Sequence, residues 1–196
     1  MTRHERSAAP CSSALKLTIS MYRMKLMQVR DVIVSADNNG LLWATKFRHP
    51  IVNRAMEVCS RAGDWDCWTI GLSSLVLAPW PSPLPRKVAR RVVPRLLIAL
   101  GVCYSLKRLA RRARPSVGFE GFSTLLNDPD PYSFPSSHSA CAWAACVAAA
   151  RAIGGVGWFL TLPAVLISYS RIHVGAHYPL DVLIGSTIGT TVSLVG

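Results

Sequence analysis

Acidic residues are scarce: ten Asp and Glu stand against 22 Lys and Arg in 196 residues, a formal charge of +12. Such an excess points to an anionic partner, but the chain lacks the aromatic-interleaved basic platform and the motifs that nucleic-acid binding would show. An anionic membrane surface or a phosphate-bearing substrate fits better. The six cysteines include no C-x-x-C pair, so neither a zinc site nor a disulfide framework is signalled; they read as small apolar packers. A P-loop is missing, as is a cluster of carboxylates suited to Mg²⁺. No secretory signal stands out either, since the nearest apolar run, ALKLTIS, is short and broken by Lys16. No apolar block reaches the roughly 20 residues that a helix needs to cross a hydrocarbon layer.

What the chain does have is grease in instalments. Apolar residues make up 51% of it, more than an ordinary soluble domain of one-domain length carries. They gather in five blocks, at 65–80, 92–106, 138–153, 156–169 and 180–196. Their repetition, their near freedom from charge and the polar, Pro or Gly breaks between them favour an all-α, membrane-embedded helical bundle with about five short transmembrane helices over a soluble bundle. From Pro50 onward Ile51, Ala55, Val58 and Ala62 recur at helical spacing, which predicts an N-terminal amphipathic helix, lying in the membrane interface or packed on a protein core. Residues 1–40 read as a flexible basic tail, with a short helix around 15–34, and residues 41–196 as the membrane domain. Gly154 and Gly155 predict a tight hairpin between the third and fourth blocks, whereas G-x-x-x-G at Gly185 and Gly189 is too common to weigh.

Alternating five spans puts the end of the second block, the start of the third, the end of the fourth and the start of the fifth on one membrane face. Three polar clusters then converge: Lys107 and Arg114; Ser136, Ser137 and His138; Arg171, His177 and Asp181. Arginine forks match phosphate oxygens and lysine adds a point charge. Ser136 or Ser137 suits the N-cap of the third block, whose free N–H groups would face the same place. Pro179 suits the first turn of the fifth helix, and the four-residue spacing of His177 and Asp181 is one helical turn, so the carboxylate can orient the imidazole. His177 can attack phosphorus while His138 protonates the departing oxygen, with no metal required.

These residues resemble the type 2 phosphatidic acid phosphatases, a family that also includes the vanadium-dependent haloperoxidases. The family pattern K-x6-R-P, P-S-G-H and S-R-x5-H-x3-D is met by KRLARRARP at 107–115, PSSH at 135–138 and SRIHVGAHYPLD at 170–181. The resemblance implies a phosphohistidine on His177, oriented by Asp181, with His138 as general acid and water attacking in the second half-reaction. It also implies that Lys107, Arg114 and Arg171 hold the phosphate, helped by the Ser136 hydroxyl and the Ser137 N–H, and that no cofactor is needed. Ser137 replaces the usual glycine, which keeps the N–H but narrows the pocket. Arg108, Arg111 and Arg112 fall at variable positions and read as a face towards solvent or headgroups. His173 is near the site but outside the pattern; Tyr132, Phe134 and Tyr178 line an entrance or anchor at the interface.

The expected activity is hydrolysis of a lipid monophosphate or diphosphate by an integral membrane enzyme of a bacterial inner membrane. The abundance of Ala and Arg suggests a polyprenyl phosphate, with phosphatidic acid and phosphatidylglycerol phosphate open. A haloperoxidase holding vanadate, or a non-catalytic scaffold of the same fold, are the alternatives. Ten Lys or Arg precede residue 65, against Arg86, Lys87, Arg90, Arg91, Arg95 and Arg151 on the opposite face, which leans the reactive face towards the cytoplasm.

Overall fold

The computed structural model describes residues 11–119, 122–126 and 130–195, with side chains from residue 15. It divides into two units, Met1–Asn39 and Gly40–Gly196. The first unit is helical from Cys11 onward, as part of α1 (Cys11–Thr45), a longer helix than the sequence suggests. Neither Pro nor Gly interrupts residues 11 to 39, so nothing in the chain stops it.

The second unit holds the remaining helices: α2 (Pro50–Arg61), α3 (Trp65–Leu77), α4 (Leu84–Ala110), the single turn α5 (Pro115–Gly118), α6 (Ser137–Ile153), a 3-10 segment (Gly155–Leu160) running into α7 (Thr161–His173), and α8 (Pro179–Val195). Among the described residues there is no strand, only an isolated bridge between Ala113 and Tyr132.

α6 is the axis. Its buried residues are nearly all small: Ser139, Ala140, Cys141, Ala142, Ala144, Ala145, Ala148, Ala150 and Ala152, with Val147. Val88, Val92 and Leu96 of α4 pack on one side of it, and Ala99 and Cys103 on the next turns. α8 comes closest, and Gly185 and Gly189 are the reason. A Cβ on Gly185 would run into the carbonyl of Ser136, and one on Gly189 into that of Ala140. The G-x-x-x-G set aside in the sequence is therefore what lets these two backbones touch. Ser193 then donates to the Ala144 carbonyl at 2.7 Å, and Trp143 donates to the Ser168 hydroxyl at 3.1 Å to tie α6 to α7. The expected hairpin after α6 forms on Gly154 and Gly155, both at positive φ (76° and 43°).

Large apolar side chains point the other way. Ile70 and Leu77, Leu97 and Ile98, Leu162, Val165 and Leu166, and Leu183 are all exposed. A bundle that buries alanine and serine while exposing leucine and isoleucine inverts the soluble pattern, and it is what helices do when lipid is the solvent.

Candidate active site

α4 delivers Lys107 in its last turn and ends on Arg111, a left-handed residue (φ 47°) whose N–H donates to the Lys107 carbonyl at 3.0 Å. That reversal throws residues 112–114 into an extended path, pinned where the Ser133 N–H donates to the Arg112 carbonyl (2.9 Å) and its hydroxyl to the Ala113 carbonyl (3.1 Å). Arg114 is thereby buried and donates to the carbonyls of Asp130 (Nε, 2.5 Å) and Ala176 (Nη1, 2.9 Å).

Ser136 is the N-cap of α6, its Oγ accepting from the Ser139 N–H (3.4 Å) and hydroxyl (3.1 Å); its own O–H is left as the donor. Its backbone N–H donates to the Asp181 carbonyl at 3.0 Å, joining the second motif to the third. His177 and Asp181 do not share a helix: α8 starts at Pro179, so the carboxylate lies in its first turn and the imidazole in the turn before it. Both are buried, with His177 Nδ1 3.7 Å from Asp181 Oδ2, beyond hydrogen-bond range. Arg114 Nη1 is 3.4 Å from His177 Nε2.

The charges around His177 set its state. Burial, then the charges of Arg171, Arg114 and Lys107, and that of His138, hold its pKa well below 6.5. A neutral imidazole among cations keeps a lone pair to offer. One anion is already present: Asp130 pairs with Lys107 at 2.8 Å. Burial works to raise its pKa, but hydrogen bonds from Lys107 and the Tyr132 N–H, with the charges of Lys107 and Arg114, more than offset that and keep it below the usual range.

A cavity of about 510 Å³ opens beside this cluster, walled by Ser137, His138, Arg171, Arg61, Asp64 and Trp68 among others. Arg171 donates to the Ser60 hydroxyl at 2.5 Å. Among the described residues no group of three or more His, Cys, Asp and Glu is placed to share a metal ion.

Several residues of the site escaped the sequence reading. Arg112, read there as a solvated or headgroup-facing residue, instead pairs with Asp181 Oδ1 at 2.7 Å and lies 4.0 Å from the centre of the Tyr178 ring. Asp130, Ser60 and Asp64, the last 2.9 Å from His138 Nε2, are further partners. None has a spacing that marks it; each is a contact between distant segments. His173 takes a structural place, its Nε2 3.0 Å from Asn53 Oδ1.

The PAP2 superfamily model matches residues 91–196, more than half of the chain and all three motifs. The chain belongs to the PAP2 superfamily. Decaprenylphosphoryl-5-phosphoribose phosphatase of Mycobacterium tuberculosis is 37% identical over 101 residues, 50% of this chain and 53% of that protein. Undecaprenyl-diphosphatase of Sulfolobus acidocaldarius is 32% identical over 111 residues, 56% and 54% of the two chains. This PAP2 chain thus spans about half the length of the curated relatives it matches. Its fold is similar to LpxE of Aquifex aeolicus (TM-score 0.69, 24% identity, 79% of this chain and 90% of that one) and to a transmembrane PAP2-type phosphatidylglycerolphosphate phosphatase of Bacillus subtilis (TM-score 0.68, 20% identity, 90% and 92%).

Proposed function

We propose that this PAP2 chain is an integral membrane phosphatase that hydrolyses a lipid phosphate through a phosphohistidine on His177. The observation that carries it is the buried His177 set among Lys107, Arg114 and Arg171, where burial and their charges push its pKa down. An incoming phosphate takes over the cations, displacing the Asp130 carboxylate from Lys107. His177 Nε2 attacks phosphorus, the bond to the lipid oxygen breaks, and His138 gives that oxygen its proton. Water then attacks the phosphohistidine, its proton returning to His138. Asp181 steadies His177, and the Ser136 hydroxyl and Ser137 N–H support the phosphate with the helix end behind them.

Membrane embedding rests on the inverted packing and on lengths. The helical stretch Gly155–His173 is long and apolar enough to cross a membrane. At 27 residues α4 runs about 40 Å, and with α3, α6 and α8 it would complete the five short spans. α2 turns Ile51, Ala55 and Val58 outward and buries Ser60, as a helix in the membrane interface does. A lipid tail then stays in the bilayer while its headgroup reaches the cavity. The relatives' names make a polyprenyl phosphate or diphosphate the first substrate to try, in a bacterial inner membrane.

The test is phosphate release from a panel of polyprenyl and glycerolipid phosphates by the purified chain and its His177→Ala variant, with chelator and with orthovanadate. Chelator-resistant, vanadate-inhibited turnover that vanishes in the variant is expected. Full activity of the variant, or strict metal dependence, overturns the mechanism.

A further inference from the structure

Asp64 precedes the segment that matches the family, 91–196, and belongs to none of the three motifs. It sits where α3 begins, at the N-cap position that aspartate favours because its carboxylate can accept the helix's free N–H groups. Asp64 makes no such bond. Its Oδ1 instead accepts from His138 Nε2 at 2.9 Å, across 74 residues of chain. The turn is shaped for this contact. A Cβ on Gly63 would lie 3.0 Å from His138 Cδ2 and 2.9 Å from Ile167 Cγ2, so any larger residue would push against the ring and Ile167. The turn is also fastened: Gly63 N–H donates to the Ser60 carbonyl (3.0 Å), Asp64 N–H to that of Arg61 (2.9 Å), and the Trp68 indole to that of Gly63 (3.1 Å). Ser60 in turn carries the bond from Arg171. One short turn thus holds a phosphate cation with one end and an imidazole with the other.

We propose that Asp64 is a positioning residue for His138: its carboxylate accepts the Nε2–H and favours the imidazolium, so that the ring holds a second proton for a leaving oxygen at the lip of the cavity. This rests on His138 being the general acid. The groups around that ring explain why a carboxylate is wanted. Arg61 and Asp66 flank Asp64 in the cavity wall, Arg171 comes from α7, Cys141 lies one turn along α6, and His177 is close enough to interact electrostatically. Two guanidinium groups beside an imidazole favour its neutral form, which has no second proton to give. Asp64 restores the balance. Its own carboxyl is held below the usual range by the bond from His138, with burial opposing and the charges of His138, Arg171 and Arg61 assisting, so it is an anion wherever the enzyme works. In the first step the N–P bond forms as the P–O bond to the lipid breaks, and the His138 proton goes to the departing oxygen. In the second, water's O–P bond forms, the N–P bond breaks, and the carboxylate draws water's proton back to His138.

The experiment compares Asp64→Asn, Asp64→Glu and Asp64→Ala with wild type, in the full chain in detergent, by phosphate release from a polyprenyl monophosphate across the pH profile and by vanadate inhibition. Asp64→Asn should lower kcat about tenfold or more, with KM and vanadate inhibition within about twofold, and move the basic limb about one unit towards lower pH. Asp64→Glu should recover most of kcat. An unmoved basic limb in an active Asp64→Asn enzyme overturns the proposal. So does vanadate inhibition lost with activity in all three variants, which would make Asp64 merely structural. Wild type inert on every lipid phosphate would instead sink the phosphatase reading beneath it, and a fully active His138→Ala would sink the general-acid role on which the proposal rests.

Discussion

His177 and His138 carry the same ring into the same site, each near one aspartate, in opposite surroundings. His177 is buried at 1% exposure, faces three cations, and stands 3.7 Å from its carboxylate, which Arg112 already engages. His138 is partly open to the cavity and 2.9 Å from an aspartate whose side chain is half exposed. Burial and cations make the first imidazole neutral and nucleophilic; a carboxylate at hydrogen-bond distance suits the second to carry a proton. On such a difference between two identical groups rest the proposed roles of nucleophile and acid.

That contrast can be broken in order of severity. His177→Ala removes the nucleophile and should reduce phosphate release roughly a millionfold, to background, in a single-turnover assay. His138→Ala leaves the nucleophile but not the acid, and should cost about a hundred- to ten-thousandfold in kcat. A substrate with an acidic leaving group, such as a nitrophenyl phosphate, should suffer less in that variant, because its oxygen departs unprotonated. Arg112→Met leaves the buried Asp181 carboxylate without its guanidinium, keeping only uncharged donors such as the Tyr178 N–H, and thermal unfolding in detergent should show about 1–3 kcal/mol of lost stability with a drop in kcat. Asp130→Asn is the mildest: with no internal anion on Lys107, vanadate inhibition should tighten by up to about fivefold, given a partly exposed carboxylate whose pair is worth about 1 kcal/mol. The pH profile sharpens the same contrast. Because the pKa of His177 is depressed below 6.5, its neutral form persists as pH falls through that value, so the acid limb of kcat/KM should lie below pH 6.5.

The motif residues were legible because their chemistry is written in local spacing: Lys107 to Arg114, and Arg171 to His177 to Asp181, sit at intervals that survive in one dimension. The all-helical fold was legible from its apolar blocks. What the sequence hid were contacts between segments. Arg112 looked like one more juxtamembrane arginine until the left-handed turn at Arg111 aimed it at Asp181. Asp64 lies 74 residues from its partner, in a stretch with no spacing to flag it. The His177–Asp181 interval suggested one helical turn, whereas the chain bends at Gly175 (φ 82°) and begins α8 only at Pro179. G-x-x-x-G carried no weight as a string, and its meaning appeared only when α6 came within touching distance of Gly185 and Gly189.

The most direct measurement is acid–base lability and mapping of the phosphoenzyme trapped by rapid quench with a ³²P-labelled lipid phosphate. A label that is stable in base, lost in acid, located on His177 and missing in His177→Ala is the predicted result. A label on any other residue, or full turnover with no covalent label formed, would contradict the account.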